Sequence, residues 1–125
     1  MQKVLLFNIS GKKAIDIKMI CHKLYISAET VDSDMFGNRI DFLLGLSDDN
    51  TAKGESVFDD EMLLFAGFNN TMLDIMLSQL RQKKSRVDLK AVLTETNKSF
   101  TPYELRCELK AEREAIQNGS TAHQT

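Results

Sequence analysis

The stretch from Glu61 to Asn97 constrains the fold more than any other part of the chain. It opens with Met62-Leu63-Leu64-Phe65-Ala66, a short unbroken apolar run closed by Gly67. Periodicity alone does not separate a strand from a helix piece here, but length and the glycine favour a strand buried on both faces. Thr71 and Asp74 come next at capping-box spacing, which predicts a helix start. Leu73, Met76, Leu77 and Leu80 then recur at i, i+3, i+4 and i+7, one apolar helical face with Leu77 fully buried at its centre. Arg81, Lys83, Lys84 and Arg86 collect at the C-terminal end, where cations suit the helix dipole. Val87, Leu89, Ala91 and Leu93 alternate with Asp88 and Lys90, the pattern of an edge strand with one wetter face. A strand, a helix and a strand imply parallel pairing through a right-handed crossover.

A fainter version of this unit precedes it. Lys3–Ile9 is a second apolar strand, Ser10-Gly11 a turn, and Ala14, Ile17, Ile20, Cys21 and Leu24 one face of a helix. Ala28–Val31 is a partly polar strand. Asn38 and Asp41 have cap spacing before a short helix that Gly45 stops. A shift of 58 positions lays Val4–Phe7 on Met62–Phe65 and Val31 on Leu89, so an internal repeat of halves 1–46 and 61–97 is expected. Residues 47–60 carry five acids and one lysine, and read as a mobile surface linker. Thr101, Pro102 and Glu104 form the clearest helix start, for a helix over 101–116 with an apolar stripe of Leu105, Leu109 and Ile116. Residues 1–118 read as one domain, and 119–125 as a disordered tail.

The two most apolar strands belong in the middle and the two partly polar ones at the edges. The expected fold is therefore α/β: a small four-stranded, mostly parallel, doubly wound sheet of order 2-1-3-4 with a C-terminal helix. In that arrangement the helices after the first and third strands lie on opposite faces. The turns Asn8–Gly11 and Gly67–Asn70 then open one crevice between two helix N-termini. The candidate ligand-binding residues are Asn8, Ser10, Gly11, Gly67, Asn69, Thr94, Thr96 and Asn97, for a polar or anionic ligand. Thr94–Asn97 equally suit a bracing role before the Thr101 cap.

The segment Glu61–Glu112 resembles an uncharacterised bacterial family, domain of unknown function three-seven-eight-three. The likeness is carried by EMLLFAGF, LDIMLSQLRQ, LKAVLTETNKSFT and LRCELKAERE. Phe100 stands where that family's pattern often has Trp, which alters packing more than chemistry. The resemblance implies a fold and no established activity.

Other chemistry finds little footing. Ser10-Gly11-Lys12-Lys13 lacks the spacing of a phosphate loop. The strand ends carry no cluster of carboxylates for a divalent ion. Cys21 and His22 are neighbours on a helix and diverge by about 100°. Cys107 has no adjacent base. Two cysteines and two histidines make a zinc site improbable, so no metal and no cofactor are expected. Arg81, Lys83, Lys84, Arg86 and Lys90 form a basic patch without interleaved aromatics, and the net charge is −2, so nucleic acid is not an expected partner. Glu104, Glu108 and Glu112 repeat every four residues on the last helix, a solvated flank or a surface for a basic partner. With no spanning run, signal segment or paired cysteines, a reducing cytoplasm and no membrane partner are expected. The expected role is a non-enzymatic binding or regulatory module for a protein partner or small polar ligand, with a homodimer conceivable. The alternative is a small enzyme using the polar strand-end turns, with Asn8, Thr94, Thr96 or Asn97 positioning a polar or anionic substrate, and a deep pocket where they converge would mark it.

Overall fold

The apolar runs do become strands. The computed structural model describes residues 2–52 and 57–119. Strands β1 (Lys3–Phe7), β2 (Ser27–Val31), β3 (Met62–Ala66) and β4 (Leu89–Val92) form one sheet in the order 2-1-3-4. Helices α1 (Gly11–Lys23) and α3 (Asn70–Gln82) are the crossovers, α2 (Ile40–Leu43) is a single turn, and α4 (Pro102–Gly119) closes the chain. The sheet is mostly parallel, since β1 pairs with β2 and β3 with β4 in parallel. The middle pair is antiparallel, with Lys3 opposite Ala66 and Phe7 opposite Met62.

This one reversal rearranges the layers. A right-handed crossover puts its helix on a side set by strand direction and by the direction of growth. Between the two units both are reversed, so the reversals cancel and α1 and α3 share a face. Ile17, Ile20 and Cys21 of α1 and Met76 and Leu80 of α3 pack together on Val4, Leu6, Leu63 and Phe65. The expectation of opposite faces is thereby corrected. The other face carries Leu5, Phe7, Met62 and Leu64 under Phe36, Ile40, Phe58 and Leu105. With helices on both sides, β1 and β3 need apolar residues at every central position. Phe58 stacks on Phe36 at 4.7 Å between centroids, so the acidic connection is pinned at this point. Lys53–Ser56 of that connection lie outside the described residues, as does the expected tail except Gly119, the last residue of α4.

From β1 and β3 to the ends of α1 and α3, structurally equivalent positions lie 59 residues apart, not 58. Both helices have thirteen residues, and Gly11 falls on Asn70. Ile17 falls on Met76 and Cys21 on Leu80, all buried. Asn8 falls on Gly67 and Tyr25 on Lys84, and all four residues have positive φ. Both helices end in the same motif. The N–H of Ile26 donates to the Cys21 carbonyl and that of Tyr25 to His22, while Ser85 donates to Leu80 and Lys84 to Arg81. An offset of 58 fails because it lays Leu6 on Leu64, which point to opposite faces.

Local starts and faces need three further corrections. The α3 cap is Asn69, whose side-chain oxygen accepts the Met72 N–H at 2.8 Å, rather than Thr71. Leu77 is half-buried, because Met76 and Leu80 are the residues aimed at the sheet. Neither Asn38 nor Asp41 caps α2. Asn38 donates to the Asn50 carbonyl, and Asp41 holds Arg39 at 2.6 Å. At α4 the capping box forms as its spacing predicts: Glu104 accepts from the Thr101 N–H, and Thr101 accepts from the Glu104 N–H. Leu105 is buried and Leu109 half-buried, whereas Ile116 is 63% exposed as the helix runs past the sheet.

Candidate functional site

The antiparallel middle pair separates the residues expected to line one crevice. Asn8, Ser10 and Gly11 come after the end of β1, which lies beside the start of β3. Gly67, Asn69, Thr94, Thr96 and Asn97 come after the ends of β3 and β4, at the opposite end of the sheet. The crevice between the two turns therefore does not exist.

Several of these side chains are already engaged. Asn8 donates to the carbonyls of Phe58 and Asp60. Asn69 caps α3. Asn97 is buried; its amide donates to the Val92 carbonyl, and its oxygen accepts from the Thr94 N–H. The Thr94 hydroxyl accepts from the Asn97 N–H in return. This is the bracing arrangement of the turn before α4. Ser10 and Thr96 are exposed, one at each end.

The place where the two units differ in length is more informative. In the first unit Ile26 is followed directly by β2. In the second, the equivalent Ser85 is followed by Arg86, Val87 and Asp88 before β4 begins. Strand register makes the count unambiguous, because Lys3 pairs with Ser27 as Met62 pairs with Leu89. The three extra residues form an elbow between α3 and β4.

On one side of the elbow is a groove of about 370 Å³, lined by Leu77, Leu80, Arg81, Lys84, Ser85, Arg86, Val87 and Lys90. Leu80 and Val87 are buried and form an apolar floor, with half-buried Leu77 at its edge. The volume falls in the range usual for small-molecule sites. Arg81, Lys84, Arg86 and Lys90 supply a cationic rim. Arg86 is tied to Asp88 at 2.7 Å, and that contact holds the Asp88 carboxyl below its ordinary range. Lys90 donates to the Val87 carbonyl, and burial lowers its ammonium pKa. Arg81 and Lys84 have no ion-pair partner among the described residues. The groove lies at the C-terminal end of α3, where the dipole is negative, so attraction for an anion must come from these side chains. Sequence reasoning found the cations as a patch and missed the floor. The available signal was the excess length between α3 and β4 relative to the first unit.

On the other side is a cleft of about 530 Å³, lined by residues of α1, the two residues before β3, the elbow, the start of β4 and α4. Several of its charges pair with one another or with neighbours. Lys13 reaches Glu61 at 2.6 Å and the Arg86 carbonyl at 2.8 Å. Asp60 takes Arg106 at 2.8 Å and Lys110 at 3.5 Å. Burial works to raise the Asp60 carboxyl, but Arg106 and Lys110 together outweigh it and hold it low. This cleft is a clasp that joins α4 to the start of β3.

The cysteines stand apart from both depressions. Cys21 is core, and burial pushes its thiol up to about 11. Cys107 is half-buried beside Arg106. Among the described residues no cluster of His, Cys, Asp and Glu is arranged to hold a metal ion, and no helix is long and apolar enough to cross a membrane.

No curated protein and no solved structure gives a significant match to the chain. Residues 61–116, from the start of β3 almost to the end of α4 and including the elbow, match the family model described as Domain of unknown function (DUF3783).

Proposed function

We propose that the protein is a binding module whose elbow groove takes a small organic anion: an apolar body on Leu77, Leu80 and Val87, and a carboxylate or phosphate against Arg81 and Lys84. The observation that carries this reading is the three-residue elbow, whose Arg86 and Val87 join Leu77, Leu80, Arg81 and Lys84 from α3 and its end around one groove. Cations over an apolar floor favour amphiphilic anions, because the head gains charge-assisted hydrogen bonds while the body is desolvated. The enzymatic alternative requires Asn8 to converge with Thr94, Thr96 and Asn97, and the sheet holds them at opposite ends. A regulatory role in a reducing cytoplasm suits free Cys21 and Cys107.

Octanoate and inorganic phosphate, titrated separately while amide NMR shifts are monitored, test the reading. Octanoate should shift Leu77, Leu80 and Ser85–Lys90, and Arg81→Glu with Lys84→Glu should abolish those shifts. Shifts confined to Gly67–Asn70 or to α4 would place the ligand elsewhere and defeat the proposal.

A further inference from the structure

A second surface is not explained by the fold. Ile15, Met19 and His22 recur at i, i+4 and i+7 along the outer side of α1, away from the sheet. Ile15 is 59% and Met19 60% exposed. With the stems of Lys18 and Lys23 they frame a shallow apolar depression. Lys12 and Lys23 flank this strip on one side and Lys18 on the other. Tyr25 stands just beyond the helix, 94% exposed and with φ of 60°. That is the position where glycine ends a helix without strain, so a bulky side chain there costs stability and touches little.

The second unit supplies an internal control. At the offset of 59, Ile15, Met19, His22 and Tyr25 fall on Asp74, Ser78, Arg81 and Lys84. The inner faces of the two helices are alike and the outer faces are not. Folding this unit therefore does not require apolar residues outside α1.

Charge completes the picture. Residues 11–23 and 70–86, which span both helices and the first residues after α3, hold eight of the sixteen Lys and Arg but two of the eighteen Asp and Glu. Because α1 and α3 share a face, their cations form one basic layer, with Lys12, Lys18, Lys23, Arg81, Lys83 and Lys84 all exposed. The excess acid lies in the rest of the chain.

We propose that this layer docks on the headgroup region of an anionic lipid bilayer, with Ile15, Met19 and Tyr25 entering the interface and the lysines meeting phosphates. Lysine stems beside apolar anchors let the ammonium stay in the headgroups while the methylenes are buried. A tyrosine prefers that boundary. Polybasic surfaces bind anionic leaflets through several weak attractions. Two copies facing each other through this layer would oppose like charges, which disfavours self-association as the occupant. The absence of a spanning run is no obstacle, since a surface contact needs none. The proposal goes beyond the elbow groove: its apolar anchors lie on and just after α1, while Arg81 and Lys84 lend charge to both surfaces.

Flotation of the full chain with vesicles tests it. The protein should float with phosphatidylcholine mixed with phosphatidylglycerol, not with phosphatidylcholine alone, and raised salt should weaken the association. The double variant Ile15→Asp/Met19→Ser copies the residues of α3 and should lose roughly tenfold or more in binding. Its thermal unfolding should stay unchanged, which separates docking from folding. If that variant proves unstable, Lys18→Glu/Lys23→Glu should give a similar loss. Failure to float with anionic vesicles overturns the proposal. So does binding that survives both variants. Soluble poly-glutamate that binds the same residues as tightly would also overturn it, in favour of an acidic protein.

Discussion

The two βαβ units are two solutions to one packing problem. Each sets a thirteen-residue helix against its own pair of strands, and each ends that helix through a residue of positive φ. Where the helices meet the sheet they agree: Ile17 with Met76, Cys21 with Leu80. They differ in two places outside the helix–sheet contacts that they share. The second unit has three more residues before its edge strand, and the first has an apolar outer face on its helix. Burial constrains residues whose loss opens a cavity, while solvent-facing residues and loop lengths are free to diverge. Those two differences are therefore where the units are free to serve separate roles.

The largest test of this comparison is in the core. Ile17→Ala and Met76→Ala should each cost about 2–5 kcal/mol in urea unfolding, through lost transfer energy and a cavity. Leu77→Ala should cost less, because its side chain already borders the open groove. A Leu77 variant that loses more than Met76→Ala would mean that α3 is rotated about its axis, with Leu77 and not Met76 facing the sheet.

The helix starts should break the symmetry next. Asn69→Ala removes a side-chain acceptor and should cost about 1 kcal/mol. Ser10 occupies the corresponding place at α1 and makes no side-chain cap bond, so Ser10→Ala should change stability by less than about 0.5 kcal/mol. Equal losses at both sites would erase this distinction between the units.

At the helix ends the units should behave alike. Tyr25→Gly and Lys84→Gly both relieve a left-handed conformation, against the entropy of a more flexible unfolded chain. Each should leave the protein unchanged or up to about 1 kcal/mol more stable. A marked loss at Tyr25 alone would show that its ring has a structural contact.

The smallest effect concerns α4, which has no long-helix counterpart in the first unit. The Asp60 carboxyl is held low by Arg106 and Lys110 against the opposing effect of burial. A carboxyl lowered on folding contributes stability above its unfolded pKa of about 3.9, and this is lost as pH falls through the folded value. The stability difference between wild type and Asp60→Asn should therefore be present at neutral pH and vanish in acid. A difference that persists in acid would assign the loss to packing instead of charge.

Much of the fold is legible in the chain itself. Met62–Ala66 and the run starting at Lys3 declare buried strands, because only a strand covered on both sides wants every residue apolar. Thr101, Pro102 and Glu104 declare the start of α4, because a capping box satisfies its donors within four residues. Strand order comes from which strands are most apolar. These inferences rest on interactions between near neighbours or on solvent exposure alone. The direction of β3 against β1 does not. Leu5 and Leu64 pair across 59 positions, and the intervening chain is long enough to return either way. Only the tertiary structure chose the antiparallel return, with Phe58 stacked on Phe36 and Asn8 holding the Phe58 and Asp60 carbonyls. That choice put α1 and α3 on one face, gathered their cations into one layer and sent the turns Asn8–Gly11 and Gly67–Asn70 to opposite ends of the sheet.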